Sequence, residues 1–250
     1  MDYTQNTKII LKVSNLKVSY EDFVAIDGVS LKVRKGEIVG LLGHNGAGKT
    51  TLLKTIVGIL PHTEGSIVLG NEQVDHLPVH ERARKGIIYV PEGMQVFPFM
   101  SVEENLEVAA HNNRNTIKQR LNMVFELFPD LKKDIKKMAG HLSGGQQRML
   151  VIARALMTQG KIFLLDDPFL GLTPKVINRL GGAIVDISRC GYGILLAGQH
   201  VKIILKLAHA AHLLVNGKLE LSGKPDDLSN HPLLHKTLFG TQFSRDVQVI

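Results

Sequence analysis

Two stretches of the chain combine residue types that do phosphate and metal chemistry. "GHNGAGKTT", residues 43–51, fits G-x-x-x-x-G-K-[ST] at Gly43, Gly48, Lys49 and Thr50. Glycines at this spacing let the backbone curl until its N–H groups converge on an anion. A lysine and a hydroxyl at the next two places add a charge for β- and γ-phosphates and a ligand for Mg2+. The second stretch is "KIFLLDDPFLGLTP", residues 161–174, where the apolar run Ile162 to Leu165 ends in Asp166 and Asp167. A phosphate loop needs a metal-holding acid on a neighbouring strand. Asp166 supplies one, directly or through water. Its other reading is an N-cap for the helix that follows.

These residues need particular elements to position them. Ile38 to Leu42 forms a short apolar strand before the loop, and Leu52, Leu53, Ile56, Val57 and Leu60 fall on one helical face after it. That is the strand–loop–helix context the motif requires. "GIIYV", "KIFLL" and "GILLA" are fully apolar strands separated by helical patterns. Such strands predict a mostly parallel sheet covered on both faces. Near the N-terminus, Ile9 to Val13, Lys17 to Ser19 and Val29 to Val33 read as strands of an antiparallel β-subdomain. Asn216-Gly217 between two alternating runs predicts a hairpin. From Ser101 to Met157 only helical periodicity is seen, in Leu121, Val124, Phe125 and Phe128 and again in Met149, Leu150, Ala153 and Leu156. The chain, 1–250, thus reads as a single α/β domain with a helical subdomain inserted at about 95–157.

The totals exclude some classes. The 250 residues carry a net charge of +7, but the charges are scattered. The densest run, "DLKKDIKKMAG", reads as the solvated face of a helix. No basic stripe interleaved with aromatics suggests single-stranded nucleic acid. No apolar run approaches the ~18 residues that cross a bilayer. The N-terminal "MDYTQNTKIILKV" is polar and then strand-like, unlike an export signal. The lone Cys190 forms no internal disulfide, which fits a reducing compartment.

"HLSGGQQRMLVIARALM", residues 141–157, resembles the signature motif of ABC ATPases and its helix. Phosphate loop, signature and acidic strand come in that family's order, and the resemblance runs from "VSY" to the C-terminal hairpin. It implies a P-loop NTPase core, ATP and Mg2+ as cofactors, and two ATPase subunits facing each other. Residue by residue, Gly43, His44, Asn45, Gly46, Ala47, Gly48, Lys49, Thr50 and Thr51 would bind the phosphates. Thr50 and Asp166 would hold Mg2+, and Tyr20 would stack on adenine. Ser143, Gly144, Gly145 and Gln146 would contact the γ-phosphate of the partner's ATP.

"IIYVPEGMQVFPFMSVEENLEVAA" narrows the resemblance to the smaller ATPase subunit of branched-chain amino-acid importers, as do "FELFPDL" and "RALMTQGKIFLLDDPFLGLTP". That group carries "VPEG" where most relatives have glutamine at the third place, here Glu92. In the family this loop touches Mg2+ or the attacking water and links the site to the membrane subunit. The ATPase of lipopolysaccharide export is the next-nearest group. The resemblance implies a subunit on the cytoplasmic face of the cell membrane. Its expected partners are integral-membrane permease subunits, a second ATPase subunit, by preference a different one, and indirectly a solute-binding protein. Gln95 to Glu104, with Val96, Phe97, Phe99 and Met100, is a candidate dock; ordinary core packing is the other reading. No nucleic-acid partner is expected.

The chain departs from the family in three places. The residue after the metal aspartate is normally a glutamate that serves as base or positions water; here it is Asp167, one methylene shorter. The switch position, usually histidine, falls on Gln199 in "LLAGQHV", and a one-residue slip would bring in His200. Thr173 stands where many relatives carry an aspartate. An ATPase of reduced intrinsic turnover, or a regulatory half paired with a more active subunit, is the alternative these departures raise.

Overall fold

A computed structural model describes residues 7–21, 23–93, 95–110 and 117–239. In chain order, β1 (Ile9–Tyr20), β2 (Phe23–Arg34) and β3 (Ile38–Leu42) lead into α1 (Lys49–Val57). Then come β4 (Glu64–Leu69), β5 (Glu72–Gln73), α2 (Val79–Lys85) and β6 (Ile87–Val90). Among the described residues α3 (Val102–Ala109), α4 (Ile117–Leu127), α5 (Pro129–Lys133), a 3-10 turn (Ala139–His141) and α6 (Gly144–Leu156) follow. The chain returns to the sheet through β7 (Ile162–Asp166), α7 (Pro174–Arg189), β8 (Gly193–Gly198) and α8 (Val201–Leu207). It ends with β9 (Ala210–Val215), β10 (Lys218–Gly223), α9 (Pro225–Ser229) and α10 (Pro232–Phe239).

Two sheets organise these elements. One has order β10-β9-β3-β8-β7-β6, parallel except for the β9–β10 hairpin; the other, β2-β1-β4-β5, is antiparallel. The parallel strands are apolar throughout because both faces are covered, and successive side chains enter different cores. Phe163 and Leu165 of β7, with Ile194 and Leu196 of β8, pack with α6 and α7. Leu164, Leu195 and Ala197 point the other way, to α1 and the antiparallel sheet. Each fully buried aliphatic side chain in these layers contributes roughly 1.5–3 kcal/mol relative to exposure.

Several expectations need correction. Lys17 to Ser19 is not a separate strand: β1 runs through it, with a register irregularity between Val13 and Leu16. Asn15 sits there at φ 47°, its N–H donating to Ser30 Oγ, so the alternation breaks while the strand continues. Leu60 does not extend the α1 face, because Gly58 ends that helix at φ 89°. The lysine-rich run is not one wet helix. Only Lys132 and Lys133 are helical, and a turn follows that carries Met138 into an isolated bridge with Ser101.

Between β6 and β7 the described residues hold helices and that single bridge. Ser101 starts α3 with a reciprocal capping box to Glu104, and Ser143 starts α6 with one to Gln146. Each satisfies N–H groups that a helix start leaves without partners.

Candidate functional site

The phosphate loop leaves β3 and enters α1, as the glycine spacing requires. Gly48 sits at φ 107°, and a Cβ there would lie 2.9 Å from the Ala25 carbonyl oxygen. Backbone freedom and close approach of β2 both demand glycine. The hairpin turn supports the loop from behind: the Gly217 N–H donates to the Ala47 carbonyl at 3.0 Å, and the Asp27 N–H donates to the Gly217 carbonyl at 2.9 Å. A Cβ on Gly217 would stand 2.6 Å from the Ala25 carbonyl oxygen, so the turn is glycine for contact as well as for shape.

Lys49 is buried, and its ammonium donates to the carbonyls of Gly43 at 2.9 Å and His44 at 3.0 Å. Burial lowers its pKa, and the charges of Asp167, Asp166 and Glu92 oppose that shift. The carbonyl bonds fold the side chain back along its own loop, which preorganises a cation at the mouth of the anion cradle.

Asp166 closes β7 and is 1% exposed. Its Oδ2 accepts from the Tyr89 hydroxyl at 2.9 Å, and the Thr50 hydroxyl lies close to the carboxylate. Burial raises the Asp166 pKa, with Asp167 adding to the rise, while Thr50, Tyr89 and Lys49 oppose it. Burial also pushes the Tyr89 hydroxyl up, Asp166 adding to the effect. Asp166 Oδ1 is buried with no partner. An unpaired carboxylate oxygen in a buried site is costly. With the Thr50 hydroxyl close by, it fits a divalent cation with oxygen ligands. The N-cap reading of Asp166 is overturned, since the next helix begins at Pro174 behind Thr173.

Asp167 takes the left-handed backbone conformation at φ 42°, which short aspartate tolerates better than most side chains. Its N–H donates to the Ala197 carbonyl at 2.9 Å, and its Oδ1 accepts from the Gln199 N–H at 3.1 Å. The Gln199 side chain donates to Asn45 Oδ1 at 2.7 Å. His200 lies elsewhere: its ring sits edge-on to Phe169, 6.3 Å between centroids, with Nδ1 buried and unpartnered. Gln199, not His200, contacts the phosphate loop.

A cleft of about 200 Å3 lies over the loop, lined by Asn45, Gly46, Lys49, Thr50, Thr51, Glu92 and Asp167. Tyr20, 44% exposed, and Phe23, 69% exposed, form one wall. Exposed aromatics beside a polar cradle suit a planar ring. Phe23 and Tyr89 are site residues that the sequence did not reveal. Phe23 follows a turn with no motif around it, and Tyr89 hides in an apolar strand.

Ser143, Gly144, Gly145 and Gln146 do not line this cleft. They form the start of α6, with Ser143 and Gly144 exposed, and Gln146 Nε2 donates to Asp134 Oδ2 at 2.6 Å. A Cβ on Gly145 would meet Val176 at 2.8 Å, so α7 packs against this helix start. Two arginines of α6 grip the loop that carries Glu92. The Arg148 guanidinium donates to the Gly93 carbonyl at 2.9 Å, and Arg154 donates to the Gln95 carbonyl and stacks over Phe97 at 4.3 Å.

Strand, phosphate loop, helix and a buried metal-type aspartate on a neighbouring strand define a phosphate-loop nucleoside triphosphatase. The chain belongs to the ABC transporter family, whose model matches residues 26–170. It is 38% identical over 232 residues to the high-affinity branched-chain amino acid transport ATP-binding protein BraG of Pseudomonas aeruginosa, covering 92% of this chain and 100% of that one. It is 36% identical over 237 residues to the lipopolysaccharide export system ATP-binding protein LptB of Haemophilus influenzae, covering 94% and 98%. The probable branched-chain amino acid transport ATP-binding protein LivF of Archaeoglobus fulgidus is 33% identical over 233 residues, covering 92% and 99%. In structure the chain is similar to the ADP conformation of an ATP-binding cassette of an ABC transporter. The TM-score is 0.84 at 25% identity, covering 94% of this chain and 100% of that one.

Proposed function

We propose that the chain is the ATP-binding and ATP-hydrolysing subunit of a membrane importer of branched-chain amino acids or similar small polar solutes. The observation that carries the reading is the buried, unpartnered Asp166 Oδ1 close to Thr50, a residue that lines the cleft built on the phosphate loop. The likeness to BraG and LivF directs the solute class.

In this reading the loop N–H groups and the α1 N-terminus bind the phosphates of ATP. Lys49 exchanges its two carbonyl partners for phosphate oxygens. Thr50 and Asp166, with Glu92 at the cleft edge, hold Mg2+, which when bound neutralises charge on the β- and γ-phosphates. Asp167 orients the attacking water and accepts its proton as the water oxygen bonds to the γ-phosphorus and the β–γ bridging bond breaks, releasing ADP. Gln199 donates a neutral hydrogen bond beside that phosphate. Tyr20 and Phe23 hold the adenine.

The Ser143–Gln146 helix start of this chain faces the ATP of a second ATPase subunit, by preference a different one, whose own signature helix start faces this cleft. In this reading the permease subunits are separate chains and this subunit sits on the cytoplasmic face of the membrane, as the likeness to transport ATP-binding proteins suggests; no described helix is long and apolar enough to cross a membrane. Phe99, 91% exposed, with Phe97 and Met100 also exposed, forms the dock for them. Core packing does not use these three side chains, whereas Val96 of the same stretch packs against the core and is not part of the dock. The short Asp167 favours one further reading, a hydrolysis-poor half paired with a more active ATPase.

Steady-state Mg-ATP hydrolysis by the purified chain, with Lys49→Ala as blank, tests the activity. Co-purification with membrane subunits, lost in Phe99→Glu, tests the assembly. Wild-type turnover equal to the blank, both alone and with those subunits present, would leave the regulatory reading standing.

A further inference from the structure

Asp166 has two oxygens that chemistry alone cannot tell apart. The terminal torsion of an aspartate is broad and roughly two-fold, so it does not fix which oxygen faces a ligand. At 1% exposure water cannot make the choice either. The neighbouring strand makes it. Tyr89 of β6 is in register with Leu164 of β7, two residues before Asp166. Side chains two apart on a strand share a face, so Tyr89 and Asp166 lie diagonally on the α1 side of the sheet. Tyr89 packs against the core formed by Leu164 and α1. A phenol is long enough to reach diagonally along the strands. Its hydroxyl donates to Oδ2 at 2.9 Å, while Oδ1 stays buried and unpaired.

We propose that Tyr89 is a positioning residue for the metal-holding carboxylate: by occupying Asp166 Oδ2 it reserves Oδ1 for the divalent cation. The inference rests on the reading of Asp166 and Thr50 as the cation's holders. Tyr89 itself touches neither cation nor phosphate. The Thr50 hydroxyl is close enough to help hold the Asp166 carboxyl pKa down, and it lies beside the same carboxylate. Partners of this kind, which orient a ligand without binding the metal, typically carry 10- to 100-fold of metal affinity, roughly.

The test uses the full chain and Tyr89→Phe, which keeps the ring against Leu164 and removes only the hydroxyl. Binding of a fluorescent ATP analogue is titrated in EDTA and then across Mg2+ concentrations, with thermal melting as a check on folding. The expected result is metal-free affinity within about twofold of wild type and an Mg2+ midpoint raised about tenfold. An unchanged midpoint overturns the proposal. So does equal weakening with and without metal, because a merely structural role would move both. Should wild type show no Mg2+ enhancement while Lys49→Ala still loses binding, the metal reading of Asp166 falls and this inference with it, leaving the phosphate loop intact.

Discussion

The side chain of Gln199 donates to Asn45 Oδ1 at 2.7 Å, while its own backbone N–H donates to Asp167 Oδ1 at 3.1 Å. One residue thus joins the phosphate loop to the shortened acid across 154 positions of sequence. The bond to Asn45 is exposed and between neutral groups, so it is worth only about 1 kcal/mol and can be exchanged for phosphate. Gln199→Ala is expected to lower kcat about a hundredfold, as loss of a donor aimed at developing charge does. KM should move less than about threefold. Gln199→His should recover much of the rate. Steady-state kinetics of the three proteins decides; a rise in KM without a kcat loss would mean that Gln199 only shapes the phosphate loop.

Asp167 spends one oxygen on the Gln199 N–H and occupies a left-handed backbone site. Glutamate reaches further but fits that backbone less well. Asp167→Glu should therefore raise turnover about tenfold or more, an ångström at a reacting group being worth up to about a hundredfold. It should also cost up to about 1 kcal/mol of stability by strain at positive φ and loss of the local bond. Single-turnover rates and a denaturant titration test the two halves separately. Turnover no faster in the variant would show that Asp167 already reaches its water.

Lys49 gives a pH dependence of definite sign. Its pKa in the folded, nucleotide-free protein is lowered from 10.5, burial being the largest cause. Folding is therefore disfavoured by its charge at neutral pH, and this cost is relieved as pH rises from the lowered value toward 10.5. Bound phosphates favour the charged form, so ATP binding takes up a proton once Lys49 begins to deprotonate. ATP affinity should fall as pH rises through that lowered value, and Lys49→Arg, whose guanidinium stays charged, should flatten the fall. Calorimetric titration in two buffers of different ionisation enthalpy would report the proton; its absence at alkaline pH would contradict the assignment.

Arg82 is buried and ties off the helix that begins at the phosphate loop. Its guanidinium donates to the carbonyls of Thr55 at 2.9 Å, Ile56 at 3.0 Å, Leu77 at 2.9 Å and Asp75 at 2.6 Å. Two of these are C-terminal carbonyls of α1, and that of Thr55 also accepts from the Gly58 N–H at 3.0 Å. Arg82→Ala leaves them buried and should destabilise the protein by about 3 kcal/mol. Arg82→Lys should recover only part, having no fork of donors. Thermal unfolding measures both, and a loss under about 1 kcal/mol would mean water replaces the guanidinium.

Local pattern carried much of this protein. The phosphate loop is legible because Gly43, Gly48, Lys49 and Thr50 lie within eight consecutive residues, and a loop's anion chemistry depends on that spacing. The parallel strands are legible because burial on both faces leaves continuous apolar runs. Where local pattern failed, a distant segment had intervened. Leu60 looked helical, but Gly58 beneath Arg82 ends α1. The lysines after Asp130 looked like one helix, but Met138 is drawn to Ser101.

The sequence by itself determined the family, the anion cradle and the position of the metal-type aspartate. Only the tertiary structure decided which oxygen of Asp166 is left unpaired, that Gln199 rather than His200 faces Asn45, and that Phe23 joins Tyr20. Each of these is a contact between segments far apart in the chain. Their geometry depends on strand register and packing, which no run of neighbouring residues encodes alone.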